Sequence, residues 1–458
     1  MIYILVFLLA ALLLLLLFIE RGDWLAPAPI VTLSFLFSVA CAACNVQQWG
    51  IDLGLQTTAT IFSGVLLFAL LCLLFRSVTS RGSTKNPYEV PDAPVRAIRL
   101  SIGCQIMLLA FFLFATAVYY WQMRSSFASL GVTGRNWNDM MSTYRTASSD
   151  IDLSDLTSMP TWVVYTYNTM HGLAFVILYV IINNFFSEEQ TWRRDILLVL
   201  CCAVYLVSTI LRTGRLPVLE YAFAIALMAW IIWHRIHGWK RTIHLGYVIA
   251  VIAAAIGILA LFSALRWLVG RTNSADFFSY ITSYAGGSIQ LFDLYLKNPV
   301  PANGIFGQET FRGIVSAFGR HFDNGLTFSW QLEFRYSNGI MLGNVYTAFR
   351  YWIYDFGYVG WLVMLALYAF IFTALHTHVK TYNPVGRFDS ALVIYAYIFI
   401  SLVMLPIQDV LFAMDFNPGG IYTLICIVFF GWLIIDKSPR QGSRQKGASE
   451  GGPYHVRV

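Results

Sequence analysis

Two arginines lie in a tight turn between two long apolar segments of the chain. The turn is Arg212-Thr213-Gly214-Arg215, and Glu220 follows about one helical turn into the second apolar segment. Guanidinium groups bind phosphate and diphosphate through paired hydrogen bonds, and two arginines this close repel each other unless an anion joins them. A carboxylate inside an apolar segment is costly and is usually functional. We therefore predict that Arg212 and Arg215 bind an anion. Glu220 is predicted either to pair with one of them or to accept a proton from a hydroxyl group.

Most of the other basic residues predicted on the same side of the membrane as this turn are arginines, with Lys297 as the only lysine. A single arginine often caps a helix end or extends its head group towards water. A group made almost wholly of arginine favours anion binding instead. Besides the two arginines of the turn, the predicted members of this group are Arg266, Arg271, Arg312, Arg320, Arg335 and Arg350.

Several acids and histidines are candidates for a general base. His321 lies two residues before Asp323 in a polar segment, Glu333 follows in the same segment, and Glu220 is the alternative inside an apolar segment. The sequence does not select among them, and a reaction without a dedicated base is also open. His171, near the middle of another apolar segment, is predicted to hydrogen-bond a neighbouring helix.

Polar and aromatic residues late in the chain suit the binding of sugar rings, although aromatic residues also form belts at membrane interfaces. The predicted substrate-binding residues besides the arginines are Tyr284, Asn344, Tyr346 and Asp355. Metal-ligand spacings such as H-E-x-x-H or D-x-D are absent from the sequence. No metal site and no cofactor are therefore predicted.

The composition is typical of a polytopic membrane protein. Of the 458 residues, 58% are hydrophobic and 12% are charged, whereas about 25% of the residues in soluble domains are charged. A helix needs about 20 apolar residues to cross the hydrocarbon core of a bilayer. Basic runs interleaved with aromatic residues are absent, so nucleic-acid binding is not expected. The predicted fold is all-α with about 11 transmembrane helices, at residues 1–19, 25–45, 58–75, 100–120, 160–184, 195–211, 216–233, 243–265, 356–375, 390–406 and 420–435.

The basic loops set the predicted orientation of these spans. Lysine and arginine concentrate in loops that all fall on one side, namely residues 76–99, 193–194, 235–241, 380–387 and the tail. The positive-inside rule places this side and the C-terminus in the cytoplasm, and the N-terminus in the periplasm. The predicted domains are spans one to eight in residues 1–265, a large periplasmic loop in 266–355, spans nine to eleven in 356–437, and a disordered cytoplasmic tail in 438–458.

Two features are predicted within the large loop. Residues 343–355 are too polar for a separate span and indicate a re-entrant or interfacial helix that lines a cavity. Gly286 and Gly287 interrupt an amphipathic pattern, which indicates close helix packing rather than a phosphate-binding loop.

With these features the chain resembles the O-antigen polymerase (Wzy) family of oligosaccharide repeat-unit polymerases. The resemblance rests first on the architecture, which has many spans and one large outer loop late in the sequence. It therefore covers nearly the whole chain. It also rests on three segments: Arg212 to Arg215, Tyr284 to Tyr295, and Asn344-x-Tyr346-Thr347 through Asp355-Phe356-Gly357-x-x-Gly360.

The resemblance implies a metal-independent membrane glycosyltransferase with a GT-C-like architecture in the bacterial inner membrane. Its donor and acceptor would be undecaprenyl-diphosphate-linked oligosaccharides, and arginines would hold the departing diphosphate while the growing chain moves to a new repeat unit. The resemblance also implies two further partners, membrane lipid and a chain-length regulator protein. The alternatives are an O-antigen ligase, which uses the same donor, and a transporter or flippase for lipid-linked oligosaccharides.

Overall fold

The computed structural model describes residues 1–79, 95–134, 136–149, 154–187, 194–212, 216–239, 277–301, 305–322, 332–382 and 386–437, together with residues 257 and 384. Regular structure within them is almost entirely helical. The first half of the chain contains α1 (Ile2–Ile19), α2 (Pro27–Ala43), α3 (Val46–Trp49), α4 (Leu55–Thr79), α5 (Ile102–Ser129), α6 (Trp137–Ser149), α7 (Ser154–Thr157), α8 (Thr161–Phe185), α9 (Ile196–Leu211) and α10 (Leu216–His237).

The second half adds a small hairpin and two π-helical segments. Its elements are α11 (Phe277–Lys297), α12 (Arg312–Phe322), β1 (Arg335–Ser337), β2 (Ile340–Gly343), α13 (Ala348–Thr381), α14 (Ser390–Ile398), α15 (Ile400–Met404), π1 (Leu411–Asp415), α16 (Pro418–Gly431) and π2 (Trp432–Asp436).

Seven helices among the described residues are long and apolar enough to cross a membrane: α1, α4, α5, α8, α10, α13 and the segment Pro418–Asp436. Three shorter apolar segments are α2, α9 and Ser390–Met404. Each of these ten coincides with a predicted span, and the remaining one, residues 243–265, lies outside the described residues. By helix length and hydropathy the chain is therefore a multi-pass membrane protein, while the number of eleven spans stays a prediction.

The segment predicted as a large loop, residues 266–355, contains more regular structure than its polarity suggested. α11 has 21 residues and packs along α2, so this part of the segment belongs to the helical body. Two short strands, β1 and β2, form an antiparallel hairpin, while the described fold remains all-α as predicted. The hairpin's turn residues Asn338 and Gly339 both have positive φ angles. An Asn-Gly pair is a strong sequence signal for a hairpin.

The close packing predicted at Gly286 and Gly287 is confirmed at the first of them. A Cβ atom on Gly286 would lie 2.4 Å from the backbone nitrogen of Ala42 in α2. The hydroxyl group of Ser38, also in α2, donates to the carbonyl oxygen of Ala285. The absence of a side chain at Gly286 therefore lets the two helix backbones meet.

Replacing Gly286 with alanine is expected to destabilise the protein by about 1–3 kcal/mol, because the added methyl group overlaps the backbone of α2. Gly287→Ala is the matched control, since its new Cβ atom would lie 3.8 Å from the nearest atom, the carbonyl oxygen of Leu342. Thermal unfolding of the purified variants in detergent measures the difference. Equal melting temperatures for the two variants would contradict the close packing of α11 on α2.

α13 consists of two parts that meet at Gly357, where φ is 64° and ψ is −168°. The second part corresponds to the predicted span at residues 356–375. The first part begins at Ala348 and contains most of the segment that the sequence assigned to a re-entrant or interfacial helix. Phe349 and Trp352 of this part are buried among other helices, so it packs inside the protein.

Contacts between the connecting segments separate into two groups at opposite helix ends. One group joins Glu20 to Arg76, Asp23 to Lys380, and Arg235 to Asp389. The other joins Trp49 to Ser337, Asp52 to Lys297, and Gly54 to Asp293. These are the two groups of loops that the charge pattern assigned to the cytoplasmic and periplasmic sides. The separation agrees with a topology in which successive spans alternate in direction.

Asp23 is central to the first group. It accepts hydrogen bonds from Trp230 Nε1 at 3.1 Å, His376 Nε2 at 3.0 Å and Lys380 Nζ at 2.6 Å. Burial alone would raise the pKa of Asp23, but Lys380 and His376 outweigh burial and lower this pKa well below its ordinary range. The ionised carboxylate thus fastens the α1–α2 connection to α10 and α13.

Candidate active site at Arg212, His171 and Glu220

Three helices bring Arg212, His171 and Glu220 together. His171 lies in α8, Arg212 is the residue that follows α9, and Glu220 lies in the second turn of α10. His171 Nε2 is 3.6 Å from Glu220 Oε1, and the charge of Arg212 acts on both side chains. We call these three residues the Arg–His–Glu cluster.

Helix lengths and packing explain why the cluster forms. α9 ends at Leu211 and α10 begins at Leu216, so Arg212 and Glu220 lie at the same end of this helix pair. α8 is enclosed by other helices, since 78% of its apolar window is buried, compared with 28% for α5. His171 in α8 therefore faces protein rather than lipid, where an ionisable side chain needs a partner.

Tyrosine rings enclose the cluster. The guanidinium carbon of Arg212 lies 4.5 Å from the centroid of the Tyr167 ring. Tyr205 stacks on His171 with a centroid distance of 5.5 Å, and Tyr397 approaches the same imidazole edge-on at 5.5 Å. The cation–π contact holds the guanidinium plane in place. The residue Arg212 also has exposed surface, so a ligand can reach it.

Four polar atoms in and around the cluster have no hydrogen-bond partner in the described part of the chain: Tyr167 Oη, Tyr205 Oη, His171 Nε2 and Glu220 Oε1. Buried polar groups are nearly always hydrogen-bonded, and each unmade bond costs about 1–3 kcal/mol. Four such atoms grouped around one histidine indicate a site that is built for a polar ligand.

Two arginines predicted to bind an anion are engaged with backbone carbonyl groups. Arg335 donates to Leu294 O at 2.6 Å and to Asn298 O at 2.8 Å, at the C-terminal end of α11. Arg312 Nε donates to Ala413 O at 3.3 Å in π1. Carbonyl groups at helix ends attract cations. Both contacts therefore fit the alternative given for a single arginine, which is to cap a helix end.

Arg350 is neutralised inside the protein. Its side chain is 1% exposed and pairs with Glu309 and, at 2.7 Å, with Glu333 Oε2. Its guanidinium carbon also lies 4.8–5.1 Å from three aromatic ring centroids, those of Tyr295, Tyr346 and Tyr354. Two carboxylates already balance its charge, so Arg350 joins the segment before α13 to the helical body. Glu333, a predicted candidate base, is committed to this ion pair.

The other predicted substrate-binding residues have structural contacts. Asp355 accepts hydrogen bonds from the backbone nitrogens of Glu309 and Thr310 at 3.1 and 2.6 Å, which orders the chain before α12. Tyr346 donates to the carbonyl oxygen of Glu333 at 3.0 Å, and Asn344 is half-buried between β2 and α13.

Tyr284 is the predicted sugar-binding residue with a link to the cluster. It belongs to a small apolar group with Tyr280 and with Leu219, the residue before Glu220. The first half of α11 therefore packs on the part of α10 that carries Glu220.

Several predicted site residues lie outside the described residues: Arg215, Arg266, Arg271 and Asp323, together with the side chains of Arg320 and His321. Their roles stay predictions. Of the predicted pair Arg212 and Arg215, the structure therefore describes Arg212 alone.

The partnership of His171 with Glu220 was missed from the sequence. His171 was predicted to hydrogen-bond a neighbouring helix, and its Nε2 lies 3.6 Å from Glu220 of α10 without a hydrogen bond in the described part of the chain. Glu220 was predicted to pair with an arginine or to accept a proton from a hydroxyl group. A signal was present, because Tyr167 and His171 are four residues apart and so mark one polar face of α8. Ionisable groups within membranes usually pair with one another. His171 on this face would therefore be expected to pair with Glu220, the single acid of α10.

Among the described residues, no group of three or more histidines, cysteines and acids is arranged to hold a metal ion. Comparison of the chain with models of known protein families gives no match. Comparisons with curated proteins and with solved structures give no match either.

Proposed function

We propose that this protein is a metal-independent membrane glycosyltransferase that polymerises polyprenyl-diphosphate-linked oligosaccharide repeat units into a surface polysaccharide. It would act at the periplasmic face of the bacterial inner membrane and transfer the growing chain to a hydroxyl group of a new repeat unit. The observation that supports this most is the convergence of Arg212, His171 and Glu220 in a site with orphaned polar atoms. The substrate class comes from the resemblance of the sequence to the O-antigen polymerase family.

Arg212 would bind the diphosphate of the donor. Negative charge grows on the diphosphate as the sugar–oxygen bond breaks, so a fixed guanidinium stabilises the transition state more than the ground state. The Tyr167 ring orients this guanidinium, and its exposed side leaves room for the anion. Arg215 would be the second diphosphate ligand, as the short turn predicts.

His171 and Glu220 would act together on the acceptor hydroxyl group. The imidazole accepts the proton as the hydroxyl oxygen attacks the donor sugar, and the carboxylate 3.6 Å away stabilises the imidazolium that forms. Both reacting atoms, Nε2 and Oε1, lack a partner in the part of the chain that the structure describes. The acceptor hydroxyl would donate its hydrogen bond to His171 Nε2.

The tyrosines around the cluster suit a carbohydrate. Their ring faces offer apolar surface to the C–H groups of a sugar, and their hydroxyl groups offer hydrogen bonds. Two of these hydroxyl groups, on Tyr167 and Tyr205, are unused by the described residues. A sugar ring next to His171 would satisfy them.

The composition of the surface polysaccharide in a strain that lacks the gene tests this function. We expect single repeat units in place of long chains, and a return of the long-chain ladder on gels when the wild-type gene is restored. Long chains that remain on the carrier lipid would indicate a ligase instead. Carrier-linked repeat units that never reach the outer surface would indicate a transporter.

A further inference from the structure

Asp415, the last residue of π1, is an acid to which the proposed mechanism assigns no role. Its Oδ2 atom is shielded from water and has no hydrogen-bond partner among the residues that the structure describes. π-helical turns cost stability and often occur at functional sites. An unpartnered carboxylate oxygen on such a turn needs an explanation.

The chain after Asp415 fixes its backbone. Asn417 Oδ1 accepts hydrogen bonds from Gly419 N at 2.7 Å and Gly420 N at 3.0 Å, which caps α16, while its amide nitrogen donates to Met414 O. A Cβ atom on Gly420 would lie 2.0 Å from the carbonyl oxygen of Asp415. Glycine at this position therefore lets α16 begin directly against Asp415, and the acid is held on a rigid turn.

Asp415 lies beside the part of α10 that carries Glu220. Met414, the residue before Asp415, belongs to one small apolar group with Leu216, Leu219 and Phe223 of α10. The charge of Glu220 also acts on the Asp415 carboxyl group. Burial, followed by the charges of Glu220 and Asp409, raises the pKa of Asp415 well above its ordinary value.

Asp409 differs from Asp415 because its oxygens are occupied. It accepts hydrogen bonds from Trp352 Nε1 at 2.8 Å, from Tyr368 Oη at 2.5 Å and from the backbone nitrogen of Phe412 at 3.1 Å. The role of Asp409 is therefore to join α13 to π1, and Asp415 is the acid of this segment with an oxygen left for a ligand.

We propose that Asp415 is a substrate-binding residue of this site, whose carboxyl group hydrogen-bonds a hydroxyl group of the acceptor sugar beside Glu220. This inference rests on the proposed function and adds a residue that selects the acceptor. A sugar presents neighbouring hydroxyl groups, and the carboxyl oxygens of Glu220 and Asp415 can accept hydrogen bonds from them. The donor diphosphate, in contrast, would be repelled by these acids and remains with Arg212.

The acceptor KM of the Asp415→Asn variant tests this inference. The purified protein is placed in liposomes with lipid-linked polymer as donor and radiolabelled lipid-linked single repeat units, extracted from a strain that lacks the gene, as acceptor. We expect the KM for single repeat units to rise by about tenfold, because the variant disturbs the hydrogen bond of a buried sugar hydroxyl group. The KM for the polymer donor should stay at the wild-type value.

Asp293→Asn is the control for a purely structural acid. Asp293 caps the start of α4 through Gly54 N at 2.8 Å and Thr57 Oγ1 at 2.6 Å, so this variant should lower the yield of folded protein and keep the acceptor KM. If Asp415→Asn does not fold, Asp415→Ala is measured in the same assay. An unchanged acceptor KM in the folded Asp415 variant overturns this inference alone. Absence of polymer with the wild-type protein contradicts the proposed function and this inference with it.

Discussion

Replacement of Arg212 with alanine is expected to abolish long polysaccharide chains and leave single repeat units. The variant removes the described cation of the site, and the loss of one preorganised group that stabilises developing charge lowers a rate by about 10²–10³-fold. Arg212→Lys keeps the charge but loses the planar fork that matches a diphosphate, so we expect partial activity. Gels of the surface polysaccharide from complemented deletion strains measure both effects.

Arg76→Ala is the matched control for Arg212→Ala. Arg76 pairs with Glu20 at 2.5 Å at the opposite helix ends, and its side chain is 38% exposed. Partly exposed ion pairs contribute little to stability, so this variant should make normal long chains. Normal chains from the Arg212→Ala variant, at wild-type protein levels, would contradict the assignment of Arg212 to the diphosphate.

Glu220→Gln and His171→Ala are each expected to lower the rate of glycosyl transfer by about 10²–10⁴-fold, the usual contribution of a general base. The two side chains act as one unit in the proposed mechanism. The double variant should therefore be about as slow as the slower single variant, because removal of either member already disables the pair. Initial rates of polymer formation in liposomes measure the three variants against the wild type.

Glu20→Gln provides the control for loss of a buried carboxylate. Glu20 is also buried, but it pairs with Arg76 away from the cluster, and its variant should keep the wild-type rate per folded molecule. If the effects of Glu220→Gln and His171→Ala multiplied in the double variant, the two residues would be acting independently. That result would contradict a shared role on the acceptor hydroxyl group.

Most helices could be predicted because they depend on local apolar length. The ends of the predicted segments 160–184, 195–211 and 216–233 lie within four residues of the ends of α8, α9 and α10. Runs of apolar residues, turn residues and basic loops are properties of neighbouring positions in the sequence. The same information placed Arg212 and Glu220 at one end of a helix pair.

The parts that could not be predicted depend on contacts between distant segments. α11 was not identified as part of the helical body, because its packing on α2 depends on Gly286 meeting a backbone far away in sequence. His171 and Glu220 meet only after α8 and α10 have packed. The contacts of Arg335 with a carbonyl group and of Arg350 with a glutamate likewise follow from the fold, while their predicted anion binding stays a prediction.

Asp415, the proposed acceptor-binding residue, shows the same limit. In the sequence it is one acid before the helix-capping segment Asn417-Pro418, without a spacing that marks a site. Only the fold shows that π1 packs on α10 beside Glu220 and that Oδ2 of Asp415 has no partner among the described residues. Sequence patterns thus locate ionisable residues within apolar segments. Tertiary packing decides which of these residues come together in one site.

Polymer formation by the purified protein in liposomes is the most direct test of the central claim, that the Arg–His–Glu cluster transfers a glycan from a lipid diphosphate. The liposomes contain lipid-linked repeat units as the only substrate, and gels and mass spectrometry detect the products. We predict that the wild-type protein makes lipid-linked chains of several repeats and releases one free carrier diphosphate for each bond formed, and that Arg212→Ala makes none. Repeat units that remain single with the wild-type protein, or chains made equally well by Arg212→Ala, would contradict the claim.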